Sequence, residues 1–145
     1  MIFQTMLFYY KAPPTHIVYD DQVLTQPSLM VSIMNGRRLG GGFIMAPNSE
    51  PDDGFFDICI AEAVSRWRIM QLIPHFMKGT QGTQKEIKTS KAKHIRISVI
   101  EGNTLPAQTD GEILCIDGQV LEVELLPRQI EVICPPRKGE NDVKT

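Results

Sequence analysis

A chain of 145 residues, 42% hydrophobic and with a formal net charge of -2, has the size and apolar content of one domain with one good core. The near-neutral balance excludes a global electrostatic pull toward nucleic acid or an anionic membrane, and no apolar run is long enough to span a bilayer as a helix. Cys59, Cys115 and Cys134 are an odd, widely spaced set in apolar runs, which argues for buried free thiols in a reducing compartment and against a disulfide framework or zinc site. No basic leader with a cleavage site opens the chain, so a cytoplasmic location is expected.

Ile2, Met6 and Tyr10 stand four apart, with Phe3 and Leu7 on the adjoining row. That spacing predicts a helix over Ile2 to Lys11, ended by Ala12-Pro13-Pro14. It starts without a cap, as the tail of a longer helix would in a chain cut from a larger protein. His16 to Tyr19 reads as a strand turned by Asp20-Asp21. Ser28 to Met34 is a nearly continuous apolar run, suited to a strand buried on both faces. Asn35-Gly36 turns the chain and Arg37-Arg38 is a basic pair in the loop. Gly40-Gly41-Gly42 follows, able to bend without steric cost and to admit a ligand or backbone at close range.

Pro47 to Asp53 is loop, and Asp53-Gly54 opens a strand over Phe55 to Ile60. Ser65 is a natural cap for a helix that runs to Lys78 and stops at Gly79. Ile69, Met70, Ile73, Phe76 and Met77 lie at helical spacing as its core face, and Trp67 is expected to be packed. Pro74 inside that helix, at a cost of about 3 kcal/mol, predicts a kink or two short helices. Lys85, Lys88, Lys91, Lys93 and Arg96 alternate with apolar residues, as on a solvated strand face; docking on anionic lipid is the alternative. Glu101-Gly102-Asn103 turns. Glu112 to Ile116, then Asp117-Gly118, then Gln119 to Leu125 has the pattern of a β-hairpin, because Asp-Gly suits the positive φ angles of a type I′ turn. A last strand is expected over Gln129 to Cys134, followed by a charged, disordered tail at 137–145. The sum is eight to ten short strands and one main helix in a single domain at 1–136. Its expected class is mainly β, an antiparallel sandwich or flattened barrel with one main inserted helix.

Asp110 and Glu112 flank Gly111 at the mouth of the predicted hairpin, and two carboxylates held by a rigid element suit acid–base or metal work. If both are extended, their two-residue spacing points them to one face. A plain solvated turn is the simpler reading of the triplet taken alone.

Three motifs fall in order: Gly40-Gly41-Gly42 leading to Ala46-Pro47, then Asp52-Asp53-Gly54-Phe55-Phe56-Asp57, then Thr109-Asp110-Gly111-Glu112. With Asn35-Gly36 before them and Ile133-Cys134-Pro135 after, this set resembles the C-terminal domain of the bacterial diacylglycerol kinase-like lipid kinases. That family includes sphingosine and ceramide kinases. Ser65 to Gly79 is similar to its helix, and the resemblance spans Phe8 to Pro136. It implies two domains: a smaller α/β domain with a Gly-Gly-Asp-Gly nucleotide loop, and a β-rich domain on the acceptor-lipid side of the cleft. It further implies transfer of the γ-phosphoryl of ATP, with Mg²⁺ as cofactor, to a hydroxyl of a diacylglycerol-like or sphingoid lipid. In that pattern Asp110 is the general base and Glu112 supports it. Gly40, Gly41 and Gly42 border the substrate cleft, and a structural cation binds the Asp53 side chain with the carbonyls of Glu50 and Phe55. No Gly-Gly-Asp-Gly run occurs in these 145 residues. The implied partners are therefore a separate nucleotide-binding domain, a lipid substrate at the membrane surface where the protein is peripheral, and a second copy in a homo-oligomer. This chain alone is expected to be inactive. The alternatives are a non-catalytic lipid- or protein-binding β domain and a relative of the NAD or sugar-nucleotide kinases.

Overall fold

The computed structural model describes residues 12–100, 102–131 and 133. The predicted helix over Ile2 to Lys11, Cys134 and the predicted tail lie outside these residues. Two strands, β1 (Pro14–Tyr19) and β2 (Gln22–Met34), form the first hairpin, with Tyr19 paired to Gln22 across Asp20-Asp21. Asp20 adopts φ +46°, a left-handed value that aspartate tolerates, and its carboxylate accepts the backbone N–H groups of Lys93 and His94. This one side chain ties the first turn to another turn on the far side of the sequence.

That second turn joins β6 (Ile87–Ala92) to β7 (His94–Val99). With β5 (Phe56–Glu62) and β10 (Val120–Glu124) they build a six-stranded sheet in the order β10-β7-β1-β2-β5-β6, antiparallel throughout. Two small hairpins stand apart, β3 (Arg38–Leu39) with β4 (Phe43–Ile44), and β8 (Leu105–Thr109) with β9 (Glu112–Gly118). The chain is mainly antiparallel β with one α-helix among the described residues, as expected, and the sheets are open.

Strand β5 buries Ile58, Cys59, Ile60 and Ala61 in succession. Because side chains alternate across a strand, Ile58 and Ile60 enter one core with Ile17, Tyr19, Ile95 and Ile97. Cys59 and Ala61 enter the other with Met45, Leu72, Phe76 and Ile87. Strand β2 divides likewise, with Val31 and Ile33 against the first core and Met30 and Met34 against the second. The expectation of a strand used on both faces at Ser28 to Met34 holds, although β2 starts six residues earlier.

Helix α1 (Arg66–Lys78) covers the second core through Leu72 and Phe76 and buries Ile69 as well. Ser65 caps it as expected, its Oγ accepting the Arg68 N–H at 3.3 Å, and Gly79 ends it at φ +71° with the Thr80 N–H bonded to the His75 carbonyl. Pro74 does not split the helix. Pro74 and Met70 are both exposed, so the Met70 carbonyl left without an N–H donor lies on the solvent side of α1. Three residues read as packed are not. Trp67 is 75% exposed, Met77 57% and Met70 40%, because α1 meets the sheet along one face and these three stand on the other.

The hairpin expected around Asp117-Gly118 is displaced. The turn is Asp110-Gly111, with φ +48° and +90°, and Thr109 pairs with Glu112 across it. Asp117 and Gly118 end β9, where a side chain on Gly118 would meet Cys115 Sγ at 2.8 Å. β10 then leaves β9 and pairs with β7, which brings Leu121 against the first core. Burial of that leucine on an open sheet edge outweighs the local turn signal. The described residues of the predicted last strand are not in a strand either. Gln129 to Glu131 and Ile133 have no strand structure, and Ile130 and Ile133 are exposed; Val132 and Cys134 lie outside the described residues.

Gly79 needs both its left-handed φ and its missing side chain, since a Cβ there would lie 3.0 Å from Ile44 Cγ2. Gly79→Ala is expected to cost about 1–2 kcal/mol in a urea melt, from the backbone alone, with the squeezed Ile44 adding to it. An unchanged midpoint would show that this close approach is not part of the native packing.

Candidate functional site

The loop from Ala46 to Phe55 carries the predicted cation site. Asp53 closes a turn, its N–H donating to the Glu50 carbonyl at 3.3 Å. Its Oδ1 accepts the Phe55 N–H at 2.9 Å, and its Oδ2 is held by the Lys91 ammonium. Lys91 comes from β6, opposite Asp57 of β5, and feels the charges of Asp57, Asp53 and Glu50 together. Phe55 thus presents its N–H to Asp53, the Glu50 carbonyl is engaged in the turn, and the positive charge beside the carboxylate is a lysine. Both Asp53 oxygens thus accept from donors, with Lys91 supplying the positive charge beside them. Among the described residues no group of three or more His, Cys, Asp or Glu could hold a metal ion.

Hydrogen bonds from Lys91 and then from the Phe55 backbone hold the Asp53 carboxyl below its ordinary value. The same contact raises Lys91 above the usual lysine range. Elsewhere Arg68 makes a two-pronged contact with Glu86 at 3.0 and 3.1 Å, which lowers Glu86 and fixes the start of α1 to the segment before β6. Burial pushes the Cys59 thiol up to about 11, so it is an inert core group. Cys115, the other free thiol among the described residues, is half-buried and donates weakly to the Leu105 carbonyl.

Gly40, Gly41 and Gly42 form the exposed tip of the β3–β4 hairpin, and a Cβ on any of them would meet nothing within 4 Å. Only Gly40, at φ +57°, requires a glycine for its backbone. Beside this hairpin an open depression of about 660 Å³ is lined by Arg37, Arg38, Ser49 and Glu50, with Arg37 Nε bonded to the Ser49 carbonyl at 3.1 Å. A second cleft, of about 390 Å³, lies between the loop at Met45 to Asn48 and the 3₁₀ turn Gln81–Thr83. Gln81 is fully buried and donates its amide to the carbonyls of Ile44 and Met45, each at 2.8 Å. Its Oε1 and the Asp57 Oδ2 are buried acceptors without a protein donor, and both residues line this cleft. Neither Gln81 nor Lys91 was singled out from the sequence. Lys91 belonged to a charge run, and nothing local marks one lysine of such a run as the one that meets Asp53.

Asp110 and Glu112 sit together on a separate element, at the turn of the β8–β9 hairpin, and both are exposed. Asp110 is left-handed, not extended, so spacing does not place the two carboxylates on one face. Among the described residues neither side chain takes part in a hydrogen bond or ion pair, and neither lines the two cavities above. The three predicted groups therefore occupy three places: a hairpin tip at Gly40 to Gly42, the loop at Asp53, and the β8–β9 turn.

A mainly antiparallel β domain with one capped helix across its sheet is the class that the fold defines. Residues 2–134 match the family described as the YegS C-terminal NAD kinase beta sandwich-like domain, and the chain belongs to this family. Among its relatives, a diacylglycerol kinase of Mycobacterium tuberculosis is 30% identical over 101 residues, covering 70% of this chain and 31% of that protein. Sphingoid long-chain bases kinase 1 of Arabidopsis thaliana is 23% identical over 120 residues, covering 80% of this chain and 16% of that protein. A solved diacylglycerol kinase structure from Bacillus anthracis superposes with a TM-score of 0.66 at 28% identity, covering 87% of this chain and 42% of that one. The chain thus spans less than half the length of these relatives. No helix among the described residues is long and apolar enough to cross a membrane.

The Asp53–Lys91 pair predicts a particular pH profile. The Asp53 contribution is present above the ordinary carboxylate pKa and is lost as pH falls through its lowered folded value. The Lys91 contribution is present below the ordinary lysine pKa and is lost as pH rises through its raised folded value. The stability difference between the native chain and Lys91→Met, from urea melts, should be small and flat across neutral pH and shrink at both extremes. A difference that persists in strong acid would show that the lysine acts through packing instead.

Proposed function

We propose that this chain is the acceptor-lipid domain of an ATP-dependent lipid kinase, acting together with a nucleotide-binding domain. The observation that carries the reading is the family match over residues 2–134, joined to relatives named diacylglycerol, sphingoid-base and lipid kinases. In this reading a hydroxyl of a diacylglycerol-like or sphingoid lipid attacks the γ-phosphorus of ATP. Its proton passes to the Asp110 carboxylate, and ADP leaves. Phosphoryl transfer asks little covalent chemistry of the protein, so placing one carboxylate beside the hydroxyl is most of this domain's task. Asp110 is suited to it. It stands at the turn of a two-residue hairpin loop and is exposed. Glu112, two residues on, adds a second acceptor beside the same turn. Mg²⁺ would accompany ATP in the nucleotide-binding domain and neutralise phosphate charge there. Gly40 to Gly42, an uncrowded tip, would border the acceptor cleft. Without a Gly-Gly-Asp-Gly loop, the chain by itself is expected to phosphorylate nothing.

A second reading, a non-catalytic lipid- or protein-binding β domain, is favoured by one observation: β9 exposes Ile113, Leu114 and Ile116 together.

Asp110→Asn separates the two readings. Asparagine accepts the left-handed backbone as readily as aspartate, so the hairpin is kept while the proton acceptor is lost. In a protein carrying both domains, lipid phosphorylation should fall about 10²–10⁴-fold at unchanged thermal stability. Undiminished activity would remove Asp110 from the mechanism.

A further inference from the structure

Helix α1 has a second face that the described residues leave exposed. Trp67, Met70, Pro74 and Met77 recur at helical spacing on the side opposite Ile69, Leu72 and Phe76. All four are exposed, Trp67 at 75%. The helix contains no acidic residue. Arg66 stands at one end of the stripe and Lys78 at the other, both exposed and neither in an ion pair among the described residues. Arg66 and Arg68 also occupy the first turn, where the helix dipole disfavours cations. Glu86 offsets that for Arg68, but nothing within the described fold does so for Arg66.

An aromatic with a polar edge, two methionines and a proline, bracketed by long cationic side chains that can snorkel, is the composition of an interfacial helix. The lysine run after Gln84 is a poorer match. Lys91 is paired with Asp53, Arg96 with Glu122, Lys88 is bonded to Gln26, and Lys93 lies 4.8 Å from the centre of the Phe55 ring. We propose that the outer face of α1 is the surface by which this domain rests on an anionic lipid bilayer. Trp67, Met70 and Met77 enter the headgroup region, and Arg66 and Lys78 meet lipid phosphates. The proposal takes from the lipid-substrate reading only the reason for this protein to meet a bilayer.

Trp67 is the chain's one tryptophan and so reports on its own environment. Vesicles of phosphatidylcholine with phosphatidylglycerol, containing no hydroxyl-bearing diacylglycerol or sphingoid acceptor, make the test independent of phosphorylation. On adding them to the full 145-residue chain, Trp67 emission should shift to the blue and be quenched by lipids brominated near the headgroup. Phosphatidylcholine alone should give a much weaker response. Arg66→Gln with Lys78→Gln should weaken binding about 25-fold, about fivefold for each charge. Met70→Ser with Met77→Ser should weaken it at least tenfold while the tryptophan remains as reporter. These side chains are exposed, so both variants should melt like the native chain. Unchanged Trp67 emission at saturating vesicle, or native affinity in both variants, would overturn the proposal. So would a Trp67 shift produced by an added nucleotide-binding domain instead of by vesicles, because a protein would then cover the face. Loss of kinase activity on Asp110→Asn, or its persistence, leaves this result untouched.

Discussion

Strand β5 is the constraint on which the rest of the structure depends. Four consecutive residues, Ile58 to Ala61, are almost completely buried, and they face two different cores. A strand with both faces covered needs a layer on each side. On one side Ile58 and Ile60 pack with Ile17, Ile95 and Ile97 of β1 and β7; on the other α1 and the loop at Met45 close over Cys59 and Ala61. Each Leu- or Phe-sized residue in such a position contributes roughly 1.5–3 kcal/mol by burial, and truncating one costs more because a cavity remains.

That double commitment also explains where the chain can vary. The tips of the two small hairpins and the turn at Asp53 lie outside both cores, and they carry the residues with chemistry. Gly40 to Gly42 cap one hairpin, Asp110 and Glu112 the other, and Asp53 sits in the loop that leads into β5. A scaffold whose centre is fixed by burial can present exposed groups at its rim without loss of stability. The same rim exposes Ile113, Leu114 and Ile116 of β9 and the Trp67 face of α1. The two surfaces differ in chemistry. The α1 face is bracketed by unpaired cations, whereas the apolar residues of β9 run between Glu112 and Asp117. They are accordingly suited to different occupants.

Local sequence signals were reliable where a single residue type meets a single backbone need. Ser65 and Gly79 bound α1 as their capping chemistry requires, and Asp20-Asp21 turns β1 into β2. The errors arose where two local signals competed and a distant contact chose between them. Both Asp110-Gly111 and Asp117-Gly118 fit a hairpin turn. The first was used because Leu121 and Val123 pair with Ile97 and Ile95 of β7, which takes β10 away from β9. Trp67, Met70 and Met77 were misplaced for a related reason. An apolar residue at helical spacing reads as core, but α1 is packed along one side and buries one face. Of the candidate site, the residue types and their order were legible, which suffices to place the chain in its family. The Lys91 contact to Asp53 was not, because it joins residues 38 apart through the β5–β6 pairing.

The sequence by itself determined the class, the helix with its two ends, the strand buried on both faces, and the ordered motifs shared with lipid kinases. These follow from periodicity, capping and glycine chemistry, which act over a few residues. Only the tertiary structure decided which Asp-Gly turns the carboxylate hairpin, which cation stands against Asp53, and which face of α1 is left to solvent. Each of those depends on what the rest of the chain brings alongside, and burial against a distant partner outweighs a local preference of about 1 kcal/mol.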